Sequence, residues 1–153
     1  LSWDEEMNAQ IEDVSRRLKE RAKNRPSLFL GDMNAGPAID NWIDREAPLV
    51  WKRIEELGFS SPATDAHPPF CSNCDSNTLR IKLTDPRQRQ ATGNNLIDHV
   101  LFRDPLGGTE LEPISSRPFF DQARKFRGYN GEWVTKHLSD HYGVAVKFRL
   151  HIK

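Results

Sequence analysis

Apolar and polar positions at the start of the chain recur with a helical period. Four apolar residues are spaced three or four positions apart, and the opposite face from residue 12 to residue 23 is mainly charged. Ser2 or Asp4 can cap the first turn, and the run Asn24-Arg25-Pro26 ends the pattern. The pattern therefore predicts an amphipathic helix. Its inward face carries Met7, Ile11, Val14 and Leu18.

Shorter apolar runs predict three strands and a second helix. The strands cover residues 27–30, which we expect to be buried, and residues 97–102 and 143–150. Pro48 suits the first position of a helix, and Gly58 suits its end. That helix is expected to turn three residues inward: Leu49, Ile54 and Leu57.

Two long segments separate these elements. Residues 60–95 are dense in Pro, Ser, Asn, Asp and Thr and are predicted to be mostly irregular. Residues 104–135 form a long excursion that is rich in aromatic side chains. The order helix, strand, helix, strand, strand indicates an α/β or α+β layer in one domain, since no internal repeat divides the chain.

Composition narrows the function classes only in part. Of the 153 residues, 37% are hydrophobic and 29% are charged, which is typical of a globular protein and argues against disorder. Lys plus Arg and Asp plus Glu both total 22, so no net charge draws the whole chain toward nucleic acid or anionic membrane. No apolar run has the length of a transmembrane segment. Because the chain begins at Leu1 and enters a helical pattern almost at once, we expect an internal cut, with any targeting sequence lost.

Cys71 and Cys74 are the two cysteines and form a Cys-Ser-Asn-Cys arrangement. A zinc site would need two further ligands, and His67 is the candidate nearby. A redox motif would need a strand-to-helix context in place of this loop. The sequence leaves a small loop disulfide and two free thiols as open alternatives.

Three acidic motifs stand where strands meet loops. They occupy residues 31–34 (Gly-Asp-Met-Asn), 97–99 (Ile-Asp-His) and 139–141 (Ser-Asp-His). Each motif alone is typical of an ordinary turn or loop, because Asp and Asn cap the backbone locally. Together and in this order they indicate a candidate site at the ends of strands, where layered α/β folds commonly place their sites.

This set of motifs resembles the second half of the endonuclease/exonuclease/phosphatase (DNase I-like) superfamily. That superfamily includes DNase I-like nucleases, abasic-site endonucleases, inositol phosphatases and neutral sphingomyelinases. The opening helix also resembles the one that precedes the Gly-Asp-x-Asn strand in these enzymes. The resemblance covers nearly the whole chain and implies an α/β fold, the DNase I-like four-layer α/β sandwich. Residues 1–153 would form the C-terminal half of that domain.

The resemblance also implies roles for five residues. His141 would be the catalytic histidine beside the scissile phosphate, and Asp98 would pair with it, fix its tautomer and support its imidazolium form. Asp32 would position or deprotonate the attacking water, Asn34 would bind the phosphoryl oxygens, and Asp140 would lie at the metal and water cluster. These residue types suit phosphodiester hydrolysis, because carboxylates with Mg²⁺ or another divalent cation position water and neutralise charge. A histidine with a carboxylate partner can assist the leaving oxygen.

The other histidines are expected to be structural. His99 adjoins Asp98 on a predicted strand, so its side chain should face the opposite side of the sheet. We expect the same kind of role for His67, His137 and His151.

The resemblance further implies groups that have no counterpart in this chain. The first half of the superfamily domain carries a metal-binding Glu, a nearby Asn and a second catalytic His, and no matching motif precedes Asp32. Glu5 and Glu6 on the opening helix are poor substitutes. Because the sandwich takes one sheet from each half, we expect the chain to be inactive by itself. Its expected partner is the N-terminal half of the same domain, as a separate chain or a removed segment.

Three features resemble the neutral sphingomyelinase and phospholipase C-type branch. Residues 74–80 are similar to a segment that precedes the Ile-Asp-Tyr strand there, and residues 93–102 are similar to that strand, with His99 in place of Tyr. The third feature is the excursion between Asp98 and Ser139, which in sphingomyelinases can carry aromatic residues that dip into the membrane. The candidate substrate or membrane contacts here are Phe119, Phe120, Tyr129 and Trp133, with basic residues between them.

The predicted function is a Mg²⁺-dependent phosphodiester hydrolase of the sphingomyelinase or phospholipase C type. Its substrate would be a phospholipid or sphingolipid at a membrane surface, which favours a secreted or membrane-peripheral location. Interleaved aromatic and basic residues equally suit stacking and phosphate contacts on DNA, so a DNase I-like nuclease is an alternative. The same aromatics could simply pin a loop to the body of the protein. A non-catalytic half-domain that acts as an interaction module is a further alternative, although a relic has no reason to keep five polar residues in register.

Overall fold

The structure, a computed structural model, describes residues 2–79, 93–105 and 107–152. Residues 80–92 lie outside this range, and with them Arg80 of the sphingomyelinase-like segment and part of the stretch predicted to be irregular. The described chain contains two helices and six strands in mixed α/β order.

Helix α1 spans Trp3–Ala22 and confirms the first prediction. Ser2 caps it through a reciprocal pair of hydrogen bonds: the Glu5 amide donates to Ser2 Oγ at 3.3 Å, and the Ser2 amide donates to Glu5 Oε2 at 2.7 Å. Such a capping box satisfies amide groups that the first helical turn leaves without partners. Ile11 is buried, and Met7 and Leu18 pack partly buried against the same core.

Strand β1 (Ser27–Asp32) pairs antiparallel with strand β2 (Asp98–Arg103). The register runs from Ser27 opposite Arg103 to Asp32 opposite Asp98, so two of the predicted acidic motifs meet at one end of the pair. The prediction of a buried strand at 27–30 is wrong on one face. Leu28 and Leu30 are 42% and 60% exposed, because only the face that carries Phe29 packs against the core of the chain.

Helix α2 spans Pro48–Glu56, with Pro48 in its first turn and Gly58 just beyond its end. Gly58 has a φ of +80°, the left-handed conformation that glycine adopts easily after a helix. The prediction that Leu49 faces inward is wrong, since this residue is 60% exposed. The inward face carries Val50, Trp51 and Ile54, with Leu57 partly buried, so the predictions for Ile54 and Leu57 are confirmed.

The excursion at 104–135 contains three strands that the apolar pattern did not predict. Strand β3 (Glu110–Phe119) pairs antiparallel with strand β6 (Gly143–His151), and strands β4 (Arg124–Arg127) and β5 (Trp133–Lys136) form a separate hairpin. Prolines obscure β3 in the sequence, because a proline cannot donate to a strand ladder. Pro113 lies at a shift in the β3–β6 register, and Pro118 lies near the end of the strand.

Two hydrophobic clusters form the core of the described residues. The first lies between the two helices and the β1–β2 pair, and consists of Ile11, Met33, Ala35, Val50, Trp51, Ile54, Phe59 and Leu101. The second lies beneath the loops, and consists of Ile43, Ala63, Ala66, Phe70, Cys71, Cys74, Leu96 and Tyr142. Strand β6 lies beside β2, where the Phe102 and Phe148 rings meet edge-on at 5.4 Å. In the described part of the chain, neither helix combines the length and apolar character needed to cross a bilayer.

Candidate active site

The candidate site lies where β1 ends, β2 begins and the loop before β6 arrives. The antiparallel register sets Asp32 directly opposite Asp98. The short loop between β5 and β6 then brings His141 to the same point, two residues before β6 starts at Gly143. Three residues far apart in sequence therefore share one site.

His141 and Asp98 form a hydrogen-bonded pair. His141 Nδ1 lies 2.9 Å from Asp98 Oδ2 and 3.9 Å from Asp32 Oδ2. An ionised carboxylate can only accept, so the proton of this bond belongs to Nδ1, and Nε2 is left for other contacts. This contact orients the imidazole, and the catalytic roles of His141 and Asp98 stay predictions.

Burial is the largest influence on the Asp98 carboxyl, and it raises the pKa of this group above its usual range. The nearby negative charge of Asp32 raises the pKa further. A hydrogen bond from Ser72 and the contacts with His141 act in the opposite direction, because they favour the charged carboxylate. Asp98 is therefore a partly desolvated carboxylate whose partners hold it in place.

Asn34 and Asp32 form a local turn at the end of β1. The Asn34 amide donates to Asp32 Oδ1 at 2.8 Å, and Asn34 has a φ of +46°, a conformation that Asn tolerates better than most residues. Met33 between them is buried and anchors the turn. The Asp32 carboxylate is fixed in this way, while the side chain of Asn34 is exposed beside it.

Asp140 is exposed and lies next to His141 in the loop. Its Oδ1 accepts a hydrogen bond from Ser139 Oγ at 3.4 Å, and the His141 amide donates to the same Ser139 oxygen at 3.3 Å. Within the described residues, the ligand atoms that lie within 4.8 Å of one another come from Asp32, Asp98 and His141, without Asp140. The metal-binding role of Asp140 stays a prediction.

The three clustered side chains offer a divalent cation oxygen ligands. Asp32 and Asp98 present carboxylate oxygens, which hard cations prefer, and a cation between them would relieve the repulsion that raises the pKa of Asp98. His141 Nδ1 is already bonded to Asp98 and is not free to ligate while that bond holds. Two carboxylates are fewer ligands than the octahedral set of Mg²⁺, so water, substrate or groups outside this cluster would have to complete it.

The sequence analysis missed the residues that hold the site together. Ser72 is fully buried, and its Oγ accepts from the Ile97 and Asp98 amides, both at 3.0 Å. Asn77 lies in the same loop segment as Ser72 and donates to the Ser139 carbonyl at 2.9 Å. This hydrogen bond ties the segment to the loop that carries His141. Both residues lie in the stretch predicted to be irregular, where Ser and Asn usually mark turns. A composition argument could not separate them from ordinary loop residues.

The same segment contains both cysteines, and they are joined in a disulfide. This decides between the two alternatives that the sequence left open. His137 is buried nearby: it accepts from the Thr78 amide at 3.0 Å and lies 3.1 Å from the Tyr142 hydroxyl, in agreement with a structural role.

His99 lies on the opposite side of β2 from Asp98 and is buried against the ring of Trp51, with centroids 4.7 Å apart. Its Nδ1 lies 2.9 Å from Ser61 Oγ, and its Nε2 lies 3.0 Å from the Ala35 carbonyl. Burial lowers the pKa of His99 to about 4, so the ring is neutral at pH 7. The prediction of a structural role for His99 agrees with these contacts.

The candidate substrate-contact aromatics are exposed and lie outside the Asp–His cluster. The Phe119 and Phe120 rings lie with centroids 4.1 Å apart at a tilt of 47° at the end of β3. They line a cleft of about 360 Å³ together with Arg117, Arg124 and Leu138. Tyr129 and Trp133 lie on the β4–β5 hairpin, where Lys125 sits 5.4 Å from the Trp133 ring centroid. Because the hairpin strands are almost entirely exposed, its aromatics do not pin it to the described body of the protein.

These elements define the class of fold: a mixed α/β chain with the DNase I-like fold of endonuclease/exonuclease/phosphatase proteins. The solved structure of an endonuclease/exonuclease/phosphatase family protein from Bacteroides thetaiotaomicron matches this chain with a TM-score of 0.55 and 18% sequence identity. The match covers 93% of this chain and 44% of that protein, so the chain spans less than half the length of its structural relative. No protein-family profile and no curated protein matches the sequence.

Proposed function

We propose that residues 1–153 form the C-terminal half of an endonuclease/exonuclease/phosphatase domain and carry its catalytic histidine–aspartate pair. The observation that carries this proposal is the convergence of Asp32, Asp98 and His141 on one point, with His141 Nδ1 bonded to Asp98. The fold similarity supports it, because the solved structure is of a protein of that family and extends well beyond the part that this chain matches.

The proposed reaction is hydrolysis of a phosphodiester. A water oxygen bonds to phosphorus, one P–O ester bond breaks, and the departing oxygen leaves as an alcohol once it has gained a proton. Asp32, fixed by the Asn34 amide, is placed to orient the water and accept its proton. His141 in its imidazolium form donates the Nε2 proton to the departing oxygen, and Asp98, hydrogen-bonded to Nδ1, supports the charge of that form. A divalent cation held by the carboxylates would neutralise charge on the phosphoryl oxygens.

For the substrate we propose a phospholipid or sphingolipid at a membrane surface, cleaved in the manner of a sphingomyelinase or phospholipase C. The β4–β5 hairpin supports this choice, because it exposes Trp133 and Tyr129 beside Lys125 and Arg127. Aromatic rings settle at the boundary between lipid tails and headgroups, and basic side chains favour the phosphate layer. Phe119 pairs with Gly143 across the β3–β6 register, and Gly143 follows His141 by two residues. The Phe119–Phe120 cleft would therefore receive part of the lipid.

A DNase I-like nuclease is the second candidate, and the same hairpin favours it. Exposed aromatics stack on bases, and Arg117, Arg124 and Arg127 could bind the phosphates of DNA. Binding to DNA would weaken steeply with salt, since each neutralised phosphate releases counterions. A non-catalytic interaction module is the third candidate, and the intact Asp98–His141 geometry argues against it.

The test supplies the upstream half of the domain and compares two substrates. Residues 1–153 are co-expressed with the upstream segment, and cleavage of sphingomyelin vesicles and of plasmid DNA is measured with Mg²⁺ and with a chelator. His141→Ala is expected to lower the rate about 100-fold or more, because it removes the proposed catalytic group. His151→Ala is the matched control: it removes an exposed histidine that is bonded to Glu112, and should leave the rate unchanged.

Lipid cleavage that needs both Mg²⁺ and His141 would support the lipid hydrolase. DNA nicking without lipid turnover would overturn the proposal of a lipid substrate, while the proposed roles of the catalytic residues would stand. No cleavage of either substrate by the complete domain would favour the interaction module.

A further inference from the structure

Ser72 connects the two pieces of chain that carry the His141–Asp98 pair. It lies between the disulfide-bonded Cys71 and Cys74 and is fully buried. Its backbone carbonyl accepts from the Tyr142 amide at 2.7 Å, which fixes the residue next to His141. Its side chain meets the start of β2 on the other side, at Asp98. Ser72 therefore contacts Asp98, one partner of the His141–Asp98 hydrogen bond, and Tyr142, the residue next to the other partner.

The hydroxyl of Ser72 has its acceptor capacity filled by two backbone amides. The Ile97 and Asp98 amides both donate to Ser72 Oγ at 3.0 Å. A serine hydroxyl has two acceptor sites and one proton, so the proton is left to donate. The Asp98 carboxylate is the group that receives it, and this hydrogen bond favours its charged form.

We propose that Ser72 is a positioning residue for the His141–Asp98 pair. Its hydroxyl fixes the start of β2 through the Ile97 and Asp98 amides and so directs the Asp98 carboxylate to His141 Nδ1, while its carbonyl holds the loop that carries His141 at the matching distance. The catalytic consequence rests on the proposed function, while the positioning itself does not.

The rest of the segment acts in the same sense. Asn77 Nδ2 donates to the Ser139 carbonyl at 2.9 Å, and the His137 amide donates to Thr78 Oγ1 at 3.0 Å. Three points of the segment 72–78 are thus tied to residues 137–142. An imidazole–carboxylate hydrogen bond weakens quickly when either partner turns away, so this set of contacts preserves its 2.9 Å length.

The test compares Ser72→Ala with Ser61→Ala in the complete protein, including its upstream half. Ser61 is the matched control, because its buried hydroxyl also bonds a neighbouring polar group, the Nδ1 of His99, which lies outside the site. Two readouts are taken: the NMR resonance of the His141 Nδ1 proton, and kcat and KM on whichever phosphodiester the complete protein cleaves.

Ser72→Ala is expected to shift or broaden away the His141 Nδ1 proton resonance. It should also lower kcat about 10- to 100-fold, as loss of a supporting group typically does, with KM unchanged. Ser61→Ala should keep both the resonance and kcat. A folded Ser72→Ala protein that keeps the resonance and kcat would overturn the proposal.

A measurement on the unsubstituted protein covers the case in which Ser72→Ala does not fold. A buried hydroxyl proton that donates to a carboxylate exchanges slowly with water, so a Ser72 hydroxyl resonance with contacts to the Ile97 and Asp98 amide protons is expected. Its absence would overturn the proposal. A complete protein that cleaves no phosphodiester but loses the His141 resonance on Ser72→Ala would refute the proposed function and leave the positioning role standing.

Discussion

His99 and His141 lie on either side of Asp98, and their surroundings give them different chemistry. His141 is half-buried and shares its Nδ1 proton with a carboxylate, so its charged form has a partner. His99 is 2% exposed and contacts a hydroxyl, two carbonyls and the Trp51 ring, with no carboxylate in hydrogen-bond contact. A neighbouring negative charge supports an imidazolium, whereas burial among neutral groups opposes it.

The neutral state of His99 predicts a loss of stability in mild acid. Its pKa is about 4 in the folded protein, against 6.5 for an unperturbed histidine, so the unfolded chain takes up the proton first as pH falls. The contribution is fully present above pH 6.5 and is lost as pH falls toward 4, by about 3 kcal/mol in all. Urea unfolding at a series of pH values from 7 to 4.5 measures it.

His99→Gln is the control for this prediction. The variant lowers the free energy of unfolding at pH 7, because it disturbs a buried site, but it should lose less stability between pH 6.5 and 4.5 than the unsubstituted protein does. Equal pH dependence in both proteins would show that His99 is not the group responsible.

At the scale of the element, helix α2 shows how a correctly predicted helix can have one residue assigned to the wrong face. The pattern located its start at Pro48 and its end at Gly58. It placed Leu49 inward together with Ile54 and Leu57, whereas Leu49 is exposed and Val50 and Trp51 share the core-facing side with Ile54. Position along a helix determines which face a residue occupies, and the phase was set by packing against α1 and β2.

The two apolar residues Ile54 and Leu49 therefore make a matched test within one helix. Ile54 is fully buried, so Ile54→Ala is expected to lower the free energy of unfolding by about 2–5 kcal/mol, through lost burial and the cavity left behind. Leu49 is 60% exposed, and Leu49→Ala should change stability by about 0.5 kcal/mol or less. Urea or thermal unfolding measures both, and a larger loss for Leu49→Ala would contradict the observed phase of the helix.

At the scale of the whole molecule, one apolar face of the described chain is open. Leu28 and Leu30 are exposed on β1, while Phe102 and Val100 opposite them on β2 are partly buried and buried, with Phe102 against Phe148 of β6. Exposed leucines side by side on a strand are typical of a surface that packs against another layer. If the proposed N-terminal half is present, we expect it to cover this face, because the resemblance implies a sandwich with one sheet from each half.

Leu30→Lys tests this expectation, with Leu49→Lys as its control, because both leucines are 60% exposed in this chain. A charge at the proposed interface should weaken association with the upstream half by about 10-fold or more, since burying an unpaired charge costs more than the ~1–3 kcal/mol of an unpaired neutral polar group. The Leu49 variant should associate normally. Titration calorimetry measures the affinity of each variant for the upstream half. Equal affinities of the Leu30→Lys and Leu49→Lys variants would place the interface elsewhere.

Local pattern was sufficient for the elements that are strongly amphipathic or form clear apolar runs. Spacing and composition predict the capped helix α1, the strands β1, β2 and β6, and the turn after β1. The three acidic motifs were also recognisable, because Asp and His at strand ends form a distinctive order, and their resemblance to a known family named the fold.

Other features depended on contacts between residues distant in sequence. Strand β3 becomes a strand through pairing with β6, despite Pro113 and Pro118. Ser72 became recognisable only once its hydrogen bonds to Asp98 and Tyr142 could be seen.

The sequence by itself determined the residue types of the site and the secondary structure around them, because these depend on local periodicity and chemistry. The tertiary structure decided that Asp32, Asp98 and His141 converge, that Asp140 stays outside their cluster in the described residues, and that one face of β1 is left open. The physical reason is that register, burial and hydrogen-bond distance arise from strand pairing and packing across the chain, which no local segment encodes.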